Sequence, residues 1–268
     1  MYDVVASIVT YHTPIEMLDE AIRSFMATNL KVTVVLVDNS QSSEIEKYAE
    51  VNNLIYIDSG RNIGFGGGHN KAIFDERIEC KYFVILNPDT KTLPNSLEKL
   101  FSFMEKYQEV ALSAPLILNP DGSIQYVHKK LPGITIAFVR RFTPEIFKRF
   151  FQKTFDSYEL RDLVFDRPIS VPSLSGCFLF FRTQCLRELK GFDECYFLYM
   201  EDVDICRRAK ELGSVILFPD AKIIHLWKRG SYNSLKLTMH HSFSQIKYFL
   251  KWGLRKDNRI NYLPEGEL

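Results

Sequence analysis

Hydrophobic runs and amphipathic segments alternate along the first ninety residues. Val4 to Val9 is a short β-branched run, the pattern of a buried strand. Thr13-Pro14-Ile15-Glu16 reads as an N-cap, a first-turn proline and a third-position glutamate, a capping box that starts a helix running toward Thr28. Val32 to Val37 predicts a second strand, ending at Asp38-Asn39-Ser40, and Glu44 to Asn52 a second helix. Leu54 to Ile57 predicts a third strand. A glycine-rich turn, Gly64 to Gly68, then leads into a helix near Asn70 to Glu76. Tyr82 to Leu86 is a fourth apolar run, ending at Asn87-Pro88-Asp89. Strands alternating with helices imply a mostly parallel sheet covered on both faces. In such sheets ligands lie off the carboxyl ends of the strands, where Asp38 and Asp89 fall.

The second half is more mixed. Val110 to Leu118 predicts a strand, and Asn119-Pro120-Asp121-Gly122 a turn. Gly176 to Phe181, Val215 to Phe218 and Lys222 to Ile224 predict further strands. Glu201 to Leu212 predicts a helix with Gly213 as its C-terminal cap, and Asn233 to Leu254 a final amphipathic helix. Neither an internal repeat nor a low-complexity stretch is visible.

A chain of 268 residues with 46% hydrophobic residues has the composition of a packed globular protein. The formal net charge of +1 gives no reason to expect nucleic acid as a partner. The five cysteines are odd in number and form no Cys-x-x-Cys pair, which argues against a disulfide framework and a structural zinc site. The first residues lack the pattern of a secretory signal, and no apolar run approaches the about 18 residues of a membrane span, so a cytoplasmic protein is expected.

Four segments bear on chemistry. Gly64 and Gly66 fit the start of a dinucleotide fingerprint, but His69 holds the third glycine position and the turn follows the third strand. No Gly-Lys-Ser/Thr is present. A nicotinamide enzyme and a P-loop ATPase are therefore disfavoured. The glycines are either a turn without a ligand or a close backbone approach to one. Asp89, after a buried strand, is placed to bind a divalent cation. Glu201-Asp202-x-Asp204 puts three carboxylates at a helix start, where the dipole accounts for one or two of them. A partly desolvated member is a candidate general base. His225, at a strand end, is read either as structural or as a metal ligand.

Taken in order, these segments resemble the family 2 glycosyltransferases of GT-A fold, in the bacterial rhamnosyltransferase-like branch. The resemblance rests on Val9-Thr10-Tyr11, Val37-Asp38-Asn39-Ser40, the stretch Arg61 to Asn70 and Leu86-Asn87-Pro88-Asp89. It continues through Gly191-Phe192-Asp193-Glu194, the segment from Phe197 through Glu201-Asp202-Val203-Asp204 to Arg208, and then His225. It implies an α/β nucleotide-diphospho-sugar transferase fold, with a mostly parallel central sheet flanked by helices and a C-terminal helical extension. The implied transferase domain spans 1–230, with a nucleotide-binding half at 1–118, an acceptor half at 119–230 and the extension at 231–268.

The resemblance also implies roles. Asp38 would hydrogen-bond a pyrimidine base, and Thr10 and Tyr11 would line the nucleoside site. Arg61 and Asn62, with Gly66, Gly67 and Asn70 of the glycine turn and Asn87, would border the donor. Asp89 and His225 would coordinate Mg²⁺ or Mn²⁺ with the diphosphate. Asp202 would be the general base, with Glu201 and Asp204 positioning it or the acceptor. Asn87 stands where other GT-A enzymes have a second metal-facing aspartate. The implied reaction is an inverting transfer from a nucleotide-diphosphate sugar, with dTDP-rhamnose as the branch's donor, to a saccharide in surface polysaccharide synthesis.

Two basic aromatic segments are read either as helices packed on the domain with a solvated basic face, or as peripheral contact at the inner face of the plasma membrane, where a lipid-linked saccharide would be the acceptor. One, at 134–155, carries Arg140, Arg141, Lys148, Arg149 and Lys153 among phenylalanines. The other carries Lys247, Lys251, Arg255, Lys256 and Arg259 beside Tyr248, Phe249 and Trp252. The alternatives are a sugar-phosphate nucleotidyltransferase, against which the Glu201-Asp202 helix counts, and a non-catalytic carbohydrate-binding protein, against which the intact Asp89, Asp202 and His225 count.

Overall fold

The computed structural model describes residues 1–134, 136, 139, 149–226, 235–254 and 256–263. Much of the basic aromatic segment, including Arg140, Arg141 and Lys148, lies outside the described residues, as do Trp227 to Ser234 and Arg255. Ten strands form one sheet among the described residues. They are β1 (Tyr2–Thr10), β2 (Val32–Asp38), β3 (Ile55–Asp58), β4 (Cys80–Leu86), β5 (Thr90–Thr92), β6 (Val110–Leu118), β7 (Ile169–Ser170), β8 (Phe178–Arg182), β9 (Ser214–His225) and β10 (Asn261–Tyr262). Their spatial order is β10-β7-β9-β6-β8-β4-β1-β2-β3, with β5 on β9.

The expected parallel pairing holds for β1 with β2 and β4, and for β2 with β3. Beyond β4 the sheet is mixed. β8 runs antiparallel to both β4 and β6, while β6 and β9 are parallel. Successive side chains of β1 enter opposite cores: Val4, Ala6 and Ile8 on one face, Val5 on the other. Burial on both faces explains why these strands read as unbroken apolar runs.

The helices are α1 (Ile15–Met26), α2 (Ser43–Val51), α3 (Gly64–Ile73), α4 (Ser96–Lys106), α5 (Gln152–Tyr158), α6 (Thr183–Glu188), α7 (Glu201–Ala209) and α8 (Leu235–Trp252). Several local expectations change. Pro14 is the N-cap of α1, and Thr13 Oγ1 accepts from the Tyr11 N–H instead of capping the helix, so the capping box does not form. Lys222 to Ile224 is not a separate strand, because β9 runs through Val215 to His225 with a register shift against β6. Gly213 is not a left-handed cap; a Cβ there would press on the Glu109 carbonyl. The C-terminal extension adds a strand to its helix: β10 pairs with β7, and the Leu263 N–H donates to the Pro168 carbonyl.

Candidate functional site

The register of the sheet gathers the site. Thr10 and Asp38 are partners at the carboxyl ends of β1 and β2. β5 was not expected from the Asn-Pro-Asp turn. It pairs Thr90 with His225, and the Leu226 N–H donates to the Asp89 carbonyl. Asp89 is thereby held beside His225 although the two are far apart in sequence.

His225 Nε2 lies 3.3 Å from Asp89 Oδ1. On the far side of the ring, Nδ1 is 2.7 Å from Gln125 Oε1. The Gln125 amide nitrogen donates to the Asn119 side chain and to the His225 carbonyl, so Oε1 is left as an acceptor and Nδ1 carries the hydrogen. Nε2 thereby faces Asp89 Oδ1, a buried oxygen. Were a divalent cation bound here, this nitrogen and this oxygen would both hold it. Ligands at right angles on a cation at about 2.1 Å stand about 3.0 Å apart, close to the spacing seen. Burial raises the Asp89 carboxyl, but the facing imidazole and the Asn87 side chain outweigh it and hold the group below its ordinary range. Among the described residues no third His, Cys, Asp or Glu completes a metal cluster. Such a donor set suits Mg²⁺ or Mn²⁺ shared with substrate phosphate oxygens.

Asp202 reaches the same corner through β8. Its carboxylate accepts from the Gly176 N–H at 3.2 Å and the Val203 N–H at 2.8 Å. The Asn87 N–H donates to the carbonyl of Cys177, the next residue. The Cys177 thiol registers both acids: burial pushes it up to about 12, opposed by Ser175, with the charges of Asp89 and Asp202 adding to the rise. The two carboxylates therefore flank one strand start. A Cβ on Gly176 would lie 3.3 Å from Asp202 Cβ and 3.5 Å from the Phe65 ring, so glycine keeps this corner open.

Tyr199 and Met200, just before α7, both take left-handed backbone angles, φ 70° and 71°. Non-glycine residues adopt these at a cost of about 1 kcal/mol or more each. This sharp turn sets Glu201 and Asp202 at the start of α7. Burial, and then the Asp202 charge, push the Glu201 carboxyl up to about 8. Burial also raises Asp202, against the bonds from Gly176 and Val203 and the charge of Lys129. Of the two, Asp202 is the better-stabilised anion. Asp202 has two N–H donors to stabilise its anion, whereas Glu201 Oε2 is buried without a partner.

Other expected residues are placed differently. Asp204 is fully buried on another face of α7 and bonds Arg208 Nε, Lys251 Nζ and Trp252 Nε1, each at 2.8 Å. It fastens α8 to α7 and shares none of the hydrogen-bond partners of Asp202. The glycines lie inside α3 and do not form a turn before it. A Cβ on Gly64 would strike the Phe197 carbonyl oxygen, and one on Gly66 or Gly68 would crowd Phe192 or Val9; Gly67 lies against Ile63. Close packing accounts for the smallness of Gly64, Gly66 and Gly68. Asn70 likewise bonds the backbone N–H and carbonyl of Phe192 and the Glu194 carboxylate.

Asp38 was expected to meet a base directly. Its buried carboxylate accepts from Thr10, Ser40, Ser42 and Tyr56. Burial raises its pKa, and the Ser40, Ser42 and Thr10 bonds more than reverse that. It organises the 38–42 loop, with Thr10 beneath it. Tyr11 and Arg61 are exposed at the rim, and Asn62 Oδ1 accepts from the Gly64 N–H and Asn39 Nδ2. Four contributors were not anticipated: Gln125, Gly176, Lys129 and His128, whose Nδ1 accepts from the Ser175 N–H. Only the turn at Asn119 to Gly122 hinted at the first.

The basic aromatic C-terminal segment is also reordered. Tyr248 is buried with its hydroxyl on Arg207, and Trp252 is held by Asp204. Lys247 donates to the Cys195 carbonyl, Lys251 pairs with Asp193 and Asp204, and Arg259 pairs with Asp257. Each of these cations thus has a partner on the protein, while Lys247, Lys251 and Arg259 remain exposed at the surface.

Residues 6–189 match the family described as glycosyl transferase family 2. The chain is 26% identical over 264 residues to an N-acetylglucosaminyl-diphospho-decaprenol L-rhamnosyltransferase of Mycobacterium tuberculosis, covering 92% of this chain and 84% of that one. It is 25% identical over 179 residues to a low-salt glycan biosynthesis hexosyltransferase of Haloferax volcanii, covering 66% of this chain and 52% of that one. Among solved structures, a Pyrobaculum calidifontis mannosyltransferase in complex with GDP-Man and Mn²⁺ superposes with a TM-score of 0.62 at 16% identity, over 96% of this chain and 66% of that one. GalNAc-T7 with UDP, GalNAc and Mn²⁺ superposes with a TM-score of 0.64 at 14% identity; this chain spans 43% of its length. These likenesses show a GT-A fold.

Proposed function

The chain belongs to glycosyl transferase family 2, in its rhamnosyltransferase-like branch, and we propose that it moves L-rhamnose from dTDP-rhamnose to a lipid-linked saccharide with inversion at the anomeric carbon. The observation that carries the reading is the corner at Gly176–Cys177, where Asp202 is fixed by two N–H groups beside the facing Asp89 and His225. The relative's lipid-linked acceptor supports the acceptor class.

In this reading the 38–42 loop, braced by Asp38, and the exposed Tyr11 ring receive the base and nucleoside. Arg61 borders the diphosphate. Asp89 and His225 hold a divalent cation, which when bound with the donor supplies Lewis-acid stabilisation of the leaving group's charge. Asp202, its anion favoured by the two N–H donors, takes the proton of the acceptor hydroxyl as that oxygen attacks the anomeric carbon. Bond formation on one face and diphosphate departure on the other give inversion in one displacement, without a sugar–enzyme intermediate. The reaction takes place at the cytoplasmic face of the plasma membrane, in surface polysaccharide synthesis.

The test is a panel of dTDP-, UDP- and GDP-sugars with Mn²⁺ or Mg²⁺ and a polyprenyl-diphosphate GlcNAc acceptor. Nucleoside diphosphate release is followed, and the product linkage is read by NMR. The expected result is release of dTDP from dTDP-rhamnose and a product of inverted configuration. A product of retained configuration, or pyrophosphate release from a nucleoside triphosphate with a sugar phosphate, overturns the reading.

A further inference from the structure

We infer that the outer face of α8 is a docking surface for an anionic lipid bilayer, and that it seats the helix bearing Asp202 against that bilayer. The inference deepens the reading of a lipid-linked acceptor and rests on it for its purpose; the surface itself is independent of the donor.

Met239, Phe243, Ile246 and Leu250 recur at spacings of four, three and four residues, which sets them in one stripe along α8. Leu254 follows just past the helix end. All five are exposed, Leu250 by 81% and Phe243 by 57%. From Met239 to Leu254 the stripe runs about 22 Å at the helical rise. These are not the residues that the basic aromatic pattern singled out, since Tyr248 and Trp252 lie on the other side of the helix. At the stripe's end, Gly133 packs against Lys256, and the Leu131 N–H donates to Asn258 Oδ1 at 2.7 Å. The exposed Ile134 therefore emerges beside the end of α8 and extends the apolar surface.

Charge selects the occupant. Residues 221–256 contain eight lysines and arginines and no aspartate or glutamate. A second copy docked on the stripe by two-fold symmetry would bring this cationic segment against itself. An anionic lipid surface offers the opposite charge and an apolar layer for the stripe, the condition under which an amphipathic helix lies in the interface plane. Among the described residues no helix is long and apolar enough to cross a membrane, so this geometry is contact and not insertion across.

The opposite face of α8 holds the catalytic segment. Ser244 Oγ donates to the Leu198 carbonyl, the His240 and Phe197 rings stack at 4.7 Å, and Trp252 Nε1 donates to Asp204 of α7. One helix thickness, about 10 Å, therefore separates the lipid surface from the segment that presents Asp202. A sugar carried on a lipid diphosphate stands at that height above the acyl chains.

The experiment is flotation of the full-length protein with vesicles of phosphatidylglycerol and phosphatidylcholine in equal parts, and with phosphatidylcholine alone. It compares the wild type with the double variant Phe243→Glu/Leu250→Glu. Circular dichroism and the melting temperature check that the exposed substitutions leave the fold intact, and dTDP release onto a water-soluble acceptor fragment reads the chemistry separately. The wild type should float with the anionic vesicles, less so at high salt. The variant should partition about tenfold or more weakly while retaining turnover on the soluble fragment. Wild-type protein that stays unbound to the anionic vesicles at low salt overturns the inference, as does a variant that floats undiminished. Light scattering that shows the variant breaking a wild-type dimer overturns it in favour of self-association. Absence of dTDP release in the wild type would count against the rhamnosyl reading and leave the vesicle result standing.

Discussion

Gln125 Oε1 accepts the Nδ1 hydrogen of His225 at 2.7 Å, while the same amide's nitrogen donates to the His225 carbonyl at 3.1 Å. One side chain thus clamps both the ring and the backbone of the histidine and aims Nε2 at Asp89. Outer partners of this kind tune metal affinity by about 10- to 100-fold. Gln125→Leu should weaken Mn²⁺ binding by that factor, measured by calorimetry or by the EPR signal of free Mn²⁺. Donor-free protein is used, so that the result reports the metal site itself. Unchanged Mn²⁺ affinity would remove Gln125 from the site.

Asp202→Asn keeps the shape of the side chain and removes its basicity. The expected loss in kcat is about 10²- to 10⁴-fold, with dTDP affinity unchanged by calorimetry. A variant with near-normal turnover would show that another group takes the proton.

Glu201 titrates against stability in a direction that can be worked out. Its carboxyl is raised from 4.5 to about 8, so the folded chain holds a proton that the unfolded chain releases. The contribution is complete below about 4.5 and is lost as pH rises through about 8, with a slope of at most about 1.4 kcal/mol per pH unit. Glu201→Gln keeps the neutral shape at every pH. Urea midpoints of the variant should fall less between pH 5 and 8 than those of the wild type, by about that slope. Parallel curves would show that Glu201 does not carry this pH dependence.

Asp204 supplies the only carboxylate that Arg208 and Trp252 meet among the described contacts, and one of two for Lys251. Asp204→Ala leaves the largely buried Arg208 and the Trp252 N–H facing an apolar gap, at a cost of about 3 kcal/mol in unfolding free energy. Trp252 fluorescence should report release of α8 before the rest of the domain melts. A single transition at wild-type denaturant concentration would refute the role given to this residue.

The legibility of the sequence follows from the range of each interaction. The strands β1 to β4 were readable because burial on both faces writes itself into consecutive residues such as Val34, Val35 and Leu36. Asp89, Asp202 and His225 were legible as candidates because the resemblance names them in order. What was not readable depends on partners distant along the chain. β5 exists only because β9 arrives beside it, and Gln125 acquires a task only when His225 stands 2.7 Å away. The glycines of α3 misled for the same reason. Their spacing resembles that of a phosphate-binding loop, yet the neighbours that require them, Phe192, Phe197 and Val9, come from distant segments. Asp204 sits two residues from Asp202, but a helix turns 200° over that interval and sends it toward α8.

The pairing of Asn261 and Tyr262 with Ser170 and Ile169 has a bearing on how the protein can be handled. A strand two residues long at the rim offers unsatisfied amides and carbonyls to any neighbour unless something covers it. A version trimmed before residue 261 would keep every acidic group and imidazole of the reaction corner and still bare that rim. Its failing would show as clumping on concentration, which could be mistaken for a damaged catalyst.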